Sequence, residues 1–187
     1  MNVNSFDIEI KSLSWGSEDI VLTFDNQEVS FYASYIDIEP LSSLIESLIA
    51  LEEEIENLDY TQFFIQWHSE PGVLDFEMYK DKGKDHMKII IKRDDDNMEV
   101  SDGTTGISYE LPYSLYKNTV ITTALKALVK YGLKGFNDSW SNGTETFPFG
   151  SLMSLLTADS SFNKAKEDFH SDIFEELECI RQALNKI

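Results

Sequence analysis

TQFFIQWHSEPGVLDFEMYKDKGKDHMKIIIKR, residues 61–93, holds two turn signals between three runs of alternating apolar and polar residues, and its reading decides the fold. A period of two puts alternate side chains on opposite faces of a strand. Glu70-Pro71-Gly72-Val73 centres the first turn. An L-Pro-Gly pair has the wrong twist for a two-residue hairpin, so a four-residue loop is expected there. Trp67 then faces Phe76 and Ile65 faces Met78 on one side, with His68 opposite Asp75 and Gln66 opposite Glu77 on the other. Lys82-Gly83 centres the second turn, setting Met78 against Met87, Phe76 against Ile89 and Leu74 against Ile91, with Glu77 facing Lys88. Both registers agree about the apolar face, and a slip of one residue would turn that face to water. The segment reads as a three-stranded antiparallel meander, with Met98, Val100, Ile107 and Tyr109 as candidates for edge strands.

Towards the N-terminus, Phe6, Ile8 and Ile10 alternate with Asp7, Glu9 and Lys11 as a half-buried strand. Asp25-Asn26 suits a tight turn, which sets Leu22 opposite Val29 and Ile20 opposite Phe31. Pro40 fits the first position of a helix whose apolar stripe is Leu41, Leu44, Ile45, Leu48, Ile49 and Ile55. Towards the C-terminus, Ile121, Leu125 and Leu128 mark a helix after Pro112, with Gly132 as its expected stop. Residues 135–150 read as a long aromatic connection containing Phe136, Trp140, Phe147 and Phe149. A last helix, capped by Asp159 or Ser160, carries Phe162, Phe169, Ile173, Leu177, Ile180 and Leu184. The expected architecture is a single α+β domain over 1–187: a largely antiparallel sheet with about four helices packed mainly on one face. A chain of 187 residues hides about 70% of its surface on folding, so no metal or disulfide is required to hold it.

Charge is the strongest functional signal. The chain has 34 acidic against 15 basic residues, a formal net charge of −19, which repels phosphate backbones and anionic lipid and argues against nucleic-acid or membrane partners. The excess is lopsided. Residues 1–60 hold 14 acids and a single base, Lys11, whereas residues 111–187 are nearly balanced with nine acids and eight bases. Met1 precedes a polar start with no basic and apolar leader pattern, and the longest stretch without a charged residue, Thr146 to Ala158, has 13 residues, so neither a signal peptide nor a spanning helix is expected. With a single cysteine, Cys179, a reducing, cytoplasmic setting is expected. The sequons at Asn137 and Asn142 then read as loop chemistry.

The residues that could carry chemistry fall short of a catalytic pattern. His68 and Asp75 are the nearest to an acid–base pair, but no nucleophile accompanies them. Asp94-Asp95-Asp96 opens like a calcium loop, yet Met98, Glu99 and Thr105 occupy the fifth, sixth and twelfth positions, which defeats the pattern. The histidines and Cys179 lie in no zinc spacing, and the glycines form no nucleotide loop, so no metal or cofactor is expected.

These observations favour a non-enzymatic acidic binding protein that engages a basic protein partner. Its expected contacts are Glu46, Glu52, Glu53, Glu56 and Asp59 at the end of the first helix, with Phe136, Trp140 and Phe147 as a second surface. Carboxylates at a helix C-terminus oppose its dipole, so something must offset them. In size, acidity and lack of catalytic groups the chain resembles bacterial immunity or antitoxin-like proteins, which implies a basic toxin as partner; the resemblance is one of composition and class. Two other classes fit the same residues: an enzyme or small-ligand domain with a pocket near His68, Asp75 and the 136–149 loop, and a homo-oligomeric structural protein.

Overall fold

The computed structural model describes residues 1–14, 17–34, 40–53, 58–69, 72–94, 106–139, 148–157, 163, 167 and 172–184. Among the described residues, seven antiparallel strands form two sheets. In the first, β1 (Phe6–Ser14), β2 (Ser17–Phe24) and β3 (Gln27–Ser34) lie in that order; in the second, β4 (Tyr60–Ser69), β5 (Gly72–Asp81), β6 (Met87–Asp94) and β7 (Ile107–Leu111) do the same. The described helices are α1 (Pro40–Glu52), α2 (Tyr113–Ser139), α3 (Phe149–Thr157) and α4 (Asp172–Leu184). The α+β class therefore holds, with the strands divided between two sheets.

The β2–β3 register is the expected one, Leu22 opposite Val29 and Ile20 opposite Phe31. Asp25 takes a positive φ of 52° in the turn, a conformation that Asp and Asn tolerate better than most residues. Its carboxylate accepts the N–H groups of Ser5 (2.8 Å) and Asn4 (3.0 Å), which ties the turn to the start of β1.

In the meander the faces are as expected but both registers move by two residues. Ile65 pairs with Phe76 and Trp67 with Leu74; Met78 pairs with Ile89 and Phe76 with Ile91. A shift of two preserves the buried face, so the hydrophobic pattern alone cannot distinguish the two registers. The first hairpin is closer to its turn than a four-residue loop allows, since Ser69 already pairs with Gly72. The second is looser, because the connection runs from Lys82 to His86, closed by the Asp81 N–H donating to the His86 carbonyl at 3.1 Å. Asp85 in that connection accepts both the N–H and the hydroxyl of Ser114 at 2.6 Å, capping the first turn of α2 from a distant part of the chain. Tertiary use of this loop outweighs the tight turn that Lys82-Gly83 suggests.

One apolar cluster runs through both sheets and the helices, with Trp67, Phe76, Phe24, Tyr109 and Tyr116 fully buried in it. Trp67 Nε1 donates to Ser43 Oγ of α1 at 2.9 Å, and the Phe24 and Tyr109 rings stack 3.8 Å apart, joining the sheets. α2 runs along the outer edge of β1, where the Thr119 and Thr123 hydroxyls donate to the Phe6 and Ile8 carbonyls at 3.0 and 3.2 Å. Four helical residues rise about 6 Å and two strand residues about 6.8 Å, so threonines four apart match alternate carbonyls. β7 is covered in another way: the Val3 N–H donates to the Glu110 carbonyl at 2.8 Å, and Asn2 bridges Glu110 in parallel. Gly132, with φ 70° and ψ 162°, ends the first helical segment of α2, as expected, and a second segment continues beyond the kink to Ser139. Among the described residues no helix is long and apolar enough to cross a membrane.

Candidate partner-binding surface

The acidic end of α1 is not a uniformly free patch. Glu46, Glu52, Glu53 and Asp59 are exposed. The Glu52 carboxylate, however, accepts from Lys117 Nζ of α2 at 2.7 Å and from the Tyr113 hydroxyl at 3.4 Å. Lys117 supplies the cation that a carboxylate at a helix C-terminus calls for. Burial, and then the neighbouring Glu52 charge, push the Tyr113 hydroxyl well above its ordinary titration range. Glu53 and Asp59 contribute backbone as well: the Glu53 carbonyl accepts the Thr61 hydroxyl at 3.1 Å, and the Asp59 carbonyl accepts the Lys82 N–H at 2.9 Å. Glu56 lies outside the described residues.

The stretch expected to be a long connection, 135–150, is helical at both ends, since α2 extends to Ser139 and α3 begins at Phe149, which is half-buried against the core. The Gly, Ser and Thr content of the stretch conceals these helices in the sequence. Phe136 falls within α2, but its side chain, like Trp140 and Phe147, lies outside the described residues.

The His68–Asp75 pair is not formed. The register places His68 opposite Val73 and Asp75 opposite Gln66, whose Nε2 donates to Asp75 Oδ1 at 2.8 Å. The nearest strong charge pair on that face is Lys92 with Glu77, which holds the Glu77 carboxyl below and the Lys92 ammonium above their ordinary values.

A second acidic surface is the outer face of the three-stranded sheet. Phe6, Ile8, Ile10, Ile20, Leu22, Phe24 and Phe31 point inward and are buried. Their neighbours Asp7, Glu9, Asp19, Glu28 and Tyr32 therefore share the opposite face. Pairing aligns them in rows: Asp7–Thr23–Glu28, Glu9–Val21–Ser30 and Asp19–Tyr32. Asp7, Glu9 and Glu28 are exposed, Asp19 is half-buried, and Tyr32 is 53% exposed. Carboxylates two residues apart on a strand lie roughly 7 Å from one another, where like charges in water repel by about 0.6 kcal/mol. Lys126 and Lys130 of α2 line a cleft of about 270 Å³ beside Asp7 and Glu9. The signal for this face was present in the alternation of β1 and the register of the β2–β3 hairpin, read together.

Comparison with known proteins finds no matching family, no matching curated protein and no matching solved structure.

Proposed function

We propose that the protein is a non-enzymatic binding protein that docks a basic protein through the outer face of its three-stranded sheet. The supporting observation is the arrangement of Asp7, Glu9, Asp19 and Glu28 on one face with Tyr32 exposed among them. Carboxylates steer a cationic partner and fix its register, while an exposed tyrosine ring offers a flat contact for lysine or arginine side chains. A basic toxin is the partner that the compositional resemblance to immunity and antitoxin-like proteins implies.

The experiment is capture of partners from the native host at low salt, followed by elution in a salt gradient and affinity measurement on the captured protein. Binding weakens steeply as salt rises, since exposed charges are screened over about 8 Å at physiological ionic strength. Asp19→Lys with Glu28→Lys lowers affinity roughly a hundredfold while leaving the circular dichroism spectrum unchanged. A captured complex indifferent to salt and to this reversal would remove the reading.

A further inference from the structure

We propose that the cleft between β1 and α2 is a binding site for a free α-amino acid, held by its two opposite charges. The contact of α2 with β1 is a ladder with a missing rung. Thr119 and Thr123, four residues apart, donate to the Phe6 and Ile8 carbonyls, and the same step brings residue 127 level with the Ile10 carbonyl. That residue is Ala127, whose side chain has no donor. Lys130 reaches across in its place, with Nζ 3.5 Å from the Ile10 and Lys11 carbonyls, the long limit of a hydrogen bond. The cleft of about 270 Å³ opens at this point.

The occupant is argued from the chemistry of the walls. Asp7 and Glu9 line the cleft from the sheet and Lys126 and Lys130 from the helix, so its charges balance in a chain whose net charge is −19. The N–H and C=O of one strand residue point to the same side. The Ile8 and Ile10 carbonyls face α2, so their N–H groups face it too, and among the described residues no acceptor bonds them. Backbone N–H groups beside ammonium groups suit a carboxylate, and the Asp7 and Glu9 carboxylates suit an ammonium. An α-amino acid carries both and is neutral as a whole, so it escapes the repulsion that the acidic chain exerts on a plain anion. The cleft has the volume of roughly nine water molecules, which suits a ligand with about as many non-hydrogen atoms, the size of leucine. Ala127 and the half-buried Tyr131 ring give its side chain an apolar wall. The inference stands apart from the basic partner, which Lys126 and Lys130 would repel.

The test is thermal unfolding of the full chain with each of the protein amino acids in turn at millimolar concentration, then titration calorimetry with the one that stabilises most. A ligand that binds only the folded form raises the melting temperature. The controls are that amino acid without its ammonium and without its carboxylate, which for leucine are isocaproate and isoamylamine. Each control binds roughly tenfold or more weakly than the parent, because it leaves one pair of charges in the cleft unanswered. Lys130→Gln and Glu9→Gln each raise the dissociation constant roughly tenfold, and Ala127→Leu, which fills the missing rung, abolishes binding. Lys88→Gln, on the other sheet, leaves it unchanged. Circular dichroism of each variant without ligand confirms the fold, and the Lys130 and Glu9 variants keep the test decisive if Ala127→Leu does not fold. The proposal is overturned if no amino acid shifts the melting temperature, if the analogue without the ammonium binds as tightly as the parent, or if affinity survives both Lys130→Gln and Glu9→Gln.

Discussion

β1 and β4 are both terminal strands of antiparallel sheets, and the chain flanks each with a helix through different chemistry. β1 carries Asp7, Glu9 and Lys11 and is also roofed by α2, whose Thr119 and Thr123 take up the carbonyls of Phe6 and Ile8. β4 carries no charge and is flanked by α1, which takes up its side chains: the Thr61 hydroxyl donates to the Glu53 carbonyl and the Trp67 indole to Ser43 Oγ. Coverage therefore does not follow from how apolar a strand is. It follows from which distant side chains the fold brings to the edge.

The largest expected effect separates the two faces of β4 itself. Trp67 is fully buried and bonded to Ser43 of α1, whereas Phe64 stands on the open face three residues earlier. Trp67→Ala should cost about 3–5 kcal/mol, from lost transfer free energy and the cavity left behind. Phe64→Lys should change the stability by no more than about 0.5 kcal/mol. Denaturant unfolding of both variants checks the contrast. Similar losses in the two would mean that Phe64 belongs to the core and that the open face is not open.

Next in size is the removal of the β1 cover. Thr119→Val with Thr123→Val keeps the shape of both side chains and deletes both hydroxyl donors. Each lost bond should cost roughly 1 kcal/mol, more for Thr123, which is buried. The Phe6 and Ile8 carbonyls would be freed, and light scattering should show association that grows with concentration. If stability falls without new association, the charges on β1 protect the edge by themselves and α2 serves only the core.

Local chemistry was legible where a short turn or a strong periodicity fixes geometry. Asp25-Asn26 determines the β2–β3 register, and Pro40 with its leucine and isoleucine stripe determines α1. In the meander the alternation specifies the face but not the register, because a shift of two leaves every apolar residue inside. α3 was hidden by its Gly, Ser and Thr content, although Leu152, Met153, Leu155 and Leu156 are all buried. The acidic excess was legible as a charge but not as a surface. Glu52 meets Lys117 across 65 residues of chain, and Asp85 meets Ser114 across 29, pairings that no local pattern announces. The carboxylate face of β1–β3 needed two strands read in register at once.

The Asp85 cap supports the β1 side of the comparison, since α2 can roof β1 only if its first turn is held. Asp85 accepts two hydrogen bonds from Ser114, first from the hydroxyl and then from the N–H, and both hold its carboxyl below the ordinary carboxylate range. A carboxylate whose folded value lies below its unfolded one adds stability above the unfolded value, and that stability is lost as pH falls through the folded value. The window therefore opens below about pH 4, and Asp25, lowered by Ser5 and Asn4, titrates in the same sense. Asp85→Asn should cost roughly 1 kcal/mol at neutral pH, the usual worth of a helix cap, and should flatten the acid limb of the stability curve below pH about 4. Thermal melts of the two proteins from neutral pH downward measure both effects. Curves that stay parallel throughout would show that the Asp85 charge contributes nothing to holding α2, and that its hydrogen bonds can be replaced by those of a neutral amide.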